Sequence, residues 1–297
     1  MIRRRISQPT RVTLGIIGFL MMLGVYSFLS WRKSVENPEQ AVLPGVNKLV
    51  EGWEKLTTPN RKGVMPLTAD VSATYGRLFA GLGAGIAASI LFGVLMGAFT
   101  EFEALVSPTL AFLSKVPPTA MMAVYYCVFG LGFSMFAAVV GFSIFFTLAI
   151  AIYQSAQNEV SENAINKAQT LGASTGEIIY EVIWRRILPS VLDATRLQIG
   201  PAMVFLMAAE YAMASEGMGY RIRSESKLVE LGVVYIYLFL LGISGLGMEA
   251  SLALLRRWWC PWASGNPGLL EQLIAWFRRA SPSTDDTETA AEDQPAS

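Results

Sequence analysis

The chain has 297 residues, of which 53% are hydrophobic and 15% are charged, and its mean hydropathy is +0.43. The apolar residues fall in long blocks, a pattern that predicts a membrane protein with several spans. Histidine is absent, so imidazole metal sites and Ser-His or Cys-His catalysis are excluded. Two cysteines, Cys127 and Cys260, are predicted to be packing residues rather than a disulfide pair.

The formal net charge of zero hides an asymmetry along the chain. Five acidic residues and no basic residue follow Arg279, so the rest of the chain carries a net positive charge. Residues 281–297 are rich in Pro, Ser, Thr and acids, and this composition predicts disorder from about residue 281.

The first predicted span covers residues 12–30 and follows a cytoplasmic N-terminus, residues 1–11, that contains four arginines. Trp31-Arg-Lys stands where a signal peptide would have a small-residue cleavage site, so the span is predicted to be an uncleaved anchor helix. Residues 31–74 are polar, and we expect them in the periplasm. A short amphipathic helix around residues 45–56 is expected at the outer membrane surface or against the helix bundle.

Further apolar runs cover about residues 75–98, 104–129, 134–154, 196–214 and 231–255. Six crossings would place both termini in the cytoplasm. The positive-inside rule favours this orientation, because three Arg-Arg pairs, at 185, 256 and 278, then face the cytoplasm. Three basic residues on the outside run against the trend: Arg221, Arg223 and Lys227.

Two of these runs carry local signals. Lys115 and Pro117-Pro118 interrupt the run 104–129, which also fits a broken helix rather than one crossing. Small residues crowd the run 75–98, with Gly81, Gly83, Gly85 and a GxxxG at 93–97, and they predict close packing against another helix.

Enzymatic motifs are missing from the sequence. It has no P-loop, no GxSxG elbow, no HExxH and no CxxC pair, so we expect neither catalytic residues nor a metal site. The energy for any transport would therefore come from an ion gradient or from a partner protein.

Charged residues occur in or near several spans. Arg77, Arg196 and Glu101 lie near span ends, where their side chains are expected to reach the interface. Lys115, Glu210 and Glu249 lie deeper, and each is expected either to pair with a neighbouring helix or to line a translocation path.

The polar segment 158–195 lies between two apolar runs and is too long for a simple turn. A helix is predicted up to Leu171, with Gly172 as its C′ residue, and a second helix begins near Ser174 with Glu177 in capping-box spacing. An apolar stripe at helical spacing follows, and Pro189 is predicted to mark a kink into the next span. The pattern fits either a helix lying on lipid or a docking site for a protein partner.

This segment resembles the EAA coupling loop of the membrane subunits of ATP-binding-cassette (ABC) importers. Ala168 and Gly172 fit that motif, whereas Asn166 and Lys167 replace its Glu and first Ala, and Pro189 matches the proline that ends the loop. Other blocks over roughly residues 43–260 resemble the branch that imports nitrate, sulfonates, taurine and bicarbonate, with features of permeases for urea- or guanidine-type solutes. These blocks include Val116-Pro-Pro, Phe129-Gly-Leu-Gly and Glu216-Gly-Met-Gly-Tyr220.

The resemblance implies an all-α, polytopic type I ABC importer permease with about six transmembrane helices. Its transmembrane domain would cover residues 75–260, with the coupling loop at 158–195 and a cytoplasmic tail at 261–297. The residues implied in coupling to the ATPase are Asn166, Ala168, Gly172, Ala173, Glu177 and Pro189.

The resemblance also implies partners and a location. The partners are a cytoplasmic ATP-binding subunit that carries ATP and Mg, a periplasmic or lipid-anchored solute-binding protein, and a second permease copy in the bacterial inner membrane. This chain would bind membrane lipid, but no cofactor and no nucleic acid. The alternative, an ion-coupled secondary transporter, would require a repeat of the 158–195 pattern, which the sequence lacks.

Overall fold

The computed structural model describes residues 8–36, 44–59 and 63–263, and every regular element in these ranges is a helix. Residues 8–29 belong to one structural unit and the described residues from 30 to 263 belong to another. The helices are α1 (Gln8–Glu36), α2 (Val46–Thr57), α3 (Pro66–Ala98), α4 (Thr100–Leu113), α5 (Met122–Phe129), α6 (Phe133–Glu159), α7 (Glu162–Thr170), α8 (Thr175–Met213), α9 (Met218–Lys227) and α10 (Leu231–Trp259).

Four of the described helices, α3, α6, α8 and α10, are long and apolar enough to cross a membrane. Helix α1 contributes a shorter apolar stretch, Thr13–Leu29. The predicted crossing at 104–129 is not one helix, because α4 ends at Leu113 and α5 begins only at Met122. The two prolines at 117 and 118 account for this break, since neither can donate a backbone hydrogen bond to a continuing helix.

One predicted boundary differs in the structure. Helix α3 begins at Pro66, so residues 66–74 form its first turns and not the end of an irregular outer segment. Proline is favoured at such a start, because the first helical N–H has no intrahelical acceptor. The predicted disorder of the tail lies outside the described residues.

Helices α3 and α6 pack with their backbones in close contact along a stripe of small residues on α3. The stripe recurs every fourth position, at Gly81, Gly85, Ser89, Gly93 and Gly97. A Cβ added at Gly85 would lie 2.7 Å from the Gly141 carbonyl oxygen, and one at Gly93 would lie 2.6 Å from Ile152. The Ser89 hydroxyl donates to the Phe145 carbonyl at 3.2 Å. The predicted close packing of this span is therefore confirmed, and α6 is its partner.

Helix α2 packs against the start of α10 through a second close approach. A Cβ added at Gly232 would lie 2.2 Å from the Lys48 carbonyl oxygen, and Gly52 faces Gly232 from the other side. Leu56 is buried beside Tyr237 and Val233, and Lys55 forms an ion pair with Glu225 of α9 at 2.7 Å. Of the two positions predicted for this helix, its contacts match the one against the bundle.

A substitution at Gly85 tests the packing of α3 on α6. Gly85→Leu would force the two backbones apart, and we expect a loss of stability on the order of 1–3 kcal/mol or a failure to fold. Gly83→Leu is the matched control, because a Cβ at Gly83 has no neighbour within 4 Å. The measurement is the thermal unfolding midpoint of the purified protein in detergent. Equal midpoints for the two variants would contradict this packing.

Candidate functional site

The segment 158–195 turns at Gly172, as its sequence predicts. Helix α7 is followed by Gly172 at a φ of +84°, a conformation that glycine adopts without strain. The Gly172 N–H donates to the Gln169 carbonyl at 2.9 Å, and the Ala173 N–H donates to the Ala168 carbonyl at 3.0 Å. These two bonds form a Schellman motif, which satisfies the last carbonyls of α7 and sets the direction of the chain after it.

Helix α8 begins with the predicted capping box. The Ser174 N–H donates to Glu177 Oε2 at 2.7 Å, and the Glu177 N–H donates to Ser174 Oγ at 3.4 Å. The helix then continues through a π-helical segment, Ile178–Trp184, in which the hydrogen bonds span one residue more than in an α-helix. The start of α8 is therefore rigidly capped at the surface of the molecule.

The apolar stripe of α8 packs on the bundle. Ile183, Ile187 and Val191 are buried in one cluster with Leu148 and Ile152 of α6. The carboxylate of Glu159, at the end of α6, accepts a hydrogen bond from the Ser190 hydroxyl. Because α8 is one continuous helix from Thr175 to Met213, these contacts connect the turn at Gly172 directly to a membrane span.

The predicted coupling residues do not all lie on the surface. Asn166 and Glu177 are exposed, Gly172 forms the turn, and Ala168 and Ala173 are half-buried and contribute its backbone hydrogen bonds. Pro189 is buried inside α8, which continues to Met213, so the helix that follows Gly172 does not end at this proline; the predicted kink at Pro189 stays a prediction.

The sequence reasoning missed Leu171, which is 88% exposed at the tip of the turn between α7 and α8. A large apolar side chain with that exposure, next to a rigid turn, is available to a protein partner. Its position directly before the turn glycine is the signal that could have identified it.

A second group of polar residues is buried where α3, α8, α9 and α10 meet. Arg77 of α3 donates from Nη1 to Glu210 Oε1 at 2.8 Å and from Nη2 to Glu216 Oε1 at 2.9 Å. Its guanidinium also lies 4.6 Å from the ring centre of Phe136. The Thr74 hydroxyl donates to Glu210 and accepts from the Met218 N–H at 2.9 Å. Arg77 therefore compensates the negative charge of the fully buried Glu210 carboxylate, and the oxygens of that carboxylate are hydrogen-bonded.

Asp70 forms the second centre of this ionic cluster. It accepts hydrogen bonds from Arg221 Nε at 2.9 Å, the Tyr237 hydroxyl at 2.8 Å and the Gly217 N–H at 3.2 Å. Arg221 also lies 3.9 Å from Glu225, the residue that pairs with Lys55. Asp70, Thr74 and Arg77 share one face of α3, and this spacing of polar residues at the start of an apolar helix is the signal that could have identified the cluster.

Two glycines allow the chain after α8 to pass this close to Glu210. Gly217 has a φ of +107°, and a Cβ there would lie 2.8 Å from the Glu210 carboxylate. A Cβ at Gly219 would lie 2.6 Å from the Glu210 Cβ, and the Gly219 N–H donates to Glu210 at 3.0 Å. The two glycines of the Glu216-Gly-Met-Gly pattern therefore allow the backbone of this loop to lie directly against the buried carboxylate of Glu210.

The structure separates the three predicted path residues. Glu210 lies in the ionic cluster, and Glu249 is partly exposed and pairs with Arg196 of α8 at 3.5 Å. Lys115 is exposed on the break between α4 and α5 and has no ion-pair partner among the described residues, so of its two predicted roles the pairing with a neighbouring helix is not observed. Lys115 lies in the irregular segment between two helices, so its side chain is not held to one helix face and can point away from the bundle.

The expectation that Arg77 reaches the membrane interface is also wrong. Arg77 is only 4% exposed, because three polar groups from outside α3 enclose its guanidinium. Such distant partners cannot be inferred from the position of Arg77 near a span end.

The two groups of residues occupy opposite ends of the bundle. Helix α3 has 33 residues and is roughly 50 Å long, with the ionic cluster on its first turns and the start of α8 packed against its C-terminal half. Within residues 8–36, 44–59 and 63–263, no group of three His, Cys, Asp or Glu residues is arranged to hold a metal ion.

Removal of one hydroxyl tests the ionic cluster. Tyr237→Phe keeps the shape of the ring and deletes the bond to Asp70, and we expect a loss of about 1–3 kcal/mol in unfolding free energy because a buried carboxylate loses a donor. Tyr211→Phe is the control, since Tyr211 is 46% exposed. Denaturant titration of the purified protein would measure the difference, and an unchanged Tyr237→Phe would argue against a stabilising role for this bond.

A comparison with known families gives a match that covers most of the helical bundle. Residues 85–259 match the family of binding-protein-dependent transport system inner membrane components. The matched region contains the segment 158–195, Glu210 and α10, whereas Asp70, Thr74 and Arg77 precede it.

Similar proteins and a solved structure agree with this match. A probable ABC transporter permease protein of Brucella melitensis is 28% identical over 86% of this chain and 99% of its own length. The taurine transport system permease protein TauC of Escherichia coli is 27% identical over 74% of this chain and 80% of its own. A chain of the MetNI methionine ABC transporter, solved in inward-facing conformations, shares the fold with a TM-score of 0.58 at 15% identity, covering 67% of this chain and 99% of that one.

Proposed function

Because the chain belongs to the family of binding-protein-dependent transport system inner membrane components, and is a type I ABC importer permease, we propose that residues 158–195 couple it to a cytoplasmic ATPase subunit. The observation that carries this proposal is the rigid turn at Gly172, with an exposed Leu171 at its tip and one continuous helix leading from it into the membrane.

The coupling surface consists of the exposed residues of α7 and of the start of α8. Asn166, Leu171 and Glu177 offer polar and apolar contacts to the ATPase, and Ala168 and Ala173 hold the turn through their backbone groups. Pro189 is buried, so we assign it to the packing of α8 on the bundle and not to contact with the partner. ATP and Mg bind to the ATPase. Two permease copies form the path together, and the coupling loop of each copy contacts one ATPase subunit.

The solute is a small polar molecule that a periplasmic or lipid-anchored binding protein delivers. Similarity to TauC and to a putative aliphatic sulfonates transport permease protein of Escherichia coli supports a solute of the taurine or sulfonate type, and nitrate and bicarbonate remain within the branch that the sequence resembles. A urea- or guanidine-type solute is the alternative within the same function. We assign exposed Lys115 to the path, because irregular backbone at membrane depth is tolerated where it lines a water-filled cavity.

A substitution at the turn tests the coupling role. Gly172→Val places a β-branched residue at a φ of +84°, at a local cost on the order of 1 kcal/mol or more, and changes the direction of α8. We expect normal amounts of the variant in the membrane, no solute uptake, and no stimulation of ATP hydrolysis by loaded binding protein in reconstituted complexes.

Gly63→Val is the matched control, because Gly63 also has a positive φ, +73°, and open space around it, but it lies outside the segment 158–195. It should transport and stimulate ATP hydrolysis as the unaltered protein does. Normal transport by Gly172→Val would instead favour a helix that lies on lipid. Failure of the unaltered protein to copurify with any ATPase would favour the ion-coupled transporter.

The proposed orientation places the Gly172 turn in the cytoplasm and the ionic cluster toward the periplasm. Cys260 is buried and does not report topology, so the test uses single cysteines in a variant without Cys127 and Cys260. Thr170→Cys should react with a membrane-impermeant maleimide only in opened cells, whereas Ser215→Cys should react in intact cells, because both positions are exposed at opposite ends. The reverse labelling pattern would invert the topology.

A further inference from the structure

On the edge of the Arg77 guanidinium that carries Nε and Nη2, only Nη2 has a hydrogen-bond acceptor. Nη1 donates to Glu210 at 2.8 Å and to the Glu216 carbonyl oxygen at 3.1 Å, and Nη2 donates to the Glu216 carboxylate at 2.9 Å. Nε is buried and has no acceptor in the part of the chain that the structure describes. Since buried N–H groups are nearly always hydrogen-bonded, this nitrogen needs an explanation.

The two nitrogens on that edge form a recognition fork. The N–H groups of Nε and Nη2 point in the same direction, at the spacing of two oxygens of a carboxylate or a sulfonate. Glu216 contacts Nη2 through Oε1 and leaves Nε without a partner. An oxyanion that approached the edge squarely would make two bonds where Glu216 makes one.

Glu216 is also the partner that can leave. Its side chain is 68% exposed, whereas those of Arg77 and Glu210 are 5% and 0% exposed. Departure of Glu216 into solvent would restore its hydration, while Glu210 and Phe136 would keep Arg77 in place. Exchange of one anion for another leaves the charge of the cluster unchanged, so the exchange avoids an unpaired buried charge.

We propose that the Nε and Nη2 edge of Arg77 is a binding site for a carboxylate or sulfonate group, which Glu216 occupies in its absence. This inference rests on the proposed function, because it assigns the imported solute to the oxyanion class and excludes urea- and guanidine-type solutes. In the proposed orientation, the site lies at the end where the binding protein releases its solute.

Removal of the Glu216 carboxylate tests the site. In the purified permease–ATPase complex, Glu216→Ala should lower the thermal unfolding midpoint, because Nη2 of Arg77 loses its acceptor and joins Nε as an unpaired donor. Ethanesulfonate or acetate, added against chloride at equal ionic strength, should then raise that midpoint by about 2–4 °C. The half-saturating concentration should be about tenfold lower than for the unaltered protein, whose site Glu216 occupies. Acetamide, a neutral isostere, should have no effect.

Two further variants make the result specific to this edge. Glu54→Ala removes an exposed carboxylate of α2 that has no ion pair among the described residues, and it should respond to the anions only as weakly as the unaltered protein does. Arg77→Lys in the Glu216→Ala background keeps a positive charge beside Glu210 but lacks the planar fork, so its affinity for ethanesulfonate should fall about tenfold or more. If Glu216→Ala does not fold, Glu216→Gln replaces it, with the same expected order of affinities.

The proposal is overturned if chloride, acetamide and ethanesulfonate act alike on Glu216→Ala or Glu216→Gln, or if Arg77→Lys leaves the response unchanged. That outcome is distinguishable from a failure of the coupling role, because the unfolding measurement needs neither binding protein nor ATP hydrolysis. A complex in which Gly172→Val abolishes stimulation while Glu216→Ala ignores anions would retain the importer function and lose only this site.

Discussion

The close backbone approach of α3 to α6 positions both ends of this protein. Small residues at every fourth position of α3 leave no space between the helices, so α3 cannot shift along α6 without a clash at Gly85 or Gly93. The first turns of α3 carry Asp70, Thr74 and Arg77, and its C-terminal half packs beside the start of α8. One packing contact therefore aligns the ionic cluster with the turn at Gly172, although the two lie at opposite ends of the bundle.

Helix α8 is the direct mechanical connection between these ends. It has 39 residues, which corresponds to roughly 58 Å, and it begins at the capping box and ends three residues after Glu210. The π-helical segment near its start is a place where such a helix can change its winding without breaking. A force on the Gly172 turn would therefore reach the Glu210 carboxylate through continuous backbone, which is the kind of rigid-element motion that alternating access requires.

Local signals in the sequence predicted the local structures well. The turn at Gly172 and the cap formed by Ser174 and Glu177 depend on residues within a few positions of one another, and both predictions are confirmed. The break near Pro117 was foreseen for the same reason. Arg77 was misplaced, and the burial of Pro189 inside a longer helix was not foreseen, because the surroundings of both residues come from distant parts of the chain. The partners of Arg77 are 133 and 139 residues away, and burial of Pro189 depends on the packing of α8 as a whole.

Two of the three basic residues that contradict the positive-inside pattern, Arg221 and Arg223, have a role in the fold. Arg221 pairs with Asp70, and Arg223 donates to the carbonyls of Ala212 and Ala214. These cations are bound to the ends of helices, so their charges stabilise the fold around Glu210 rather than marking the side of the membrane. Arg185 and Arg186 lie at the opposite end of the bundle and are exposed, so they still count toward the orientation under the positive-inside rule. The argument for a cytoplasmic Gly172 turn therefore becomes stronger once the charges used in folding are set aside.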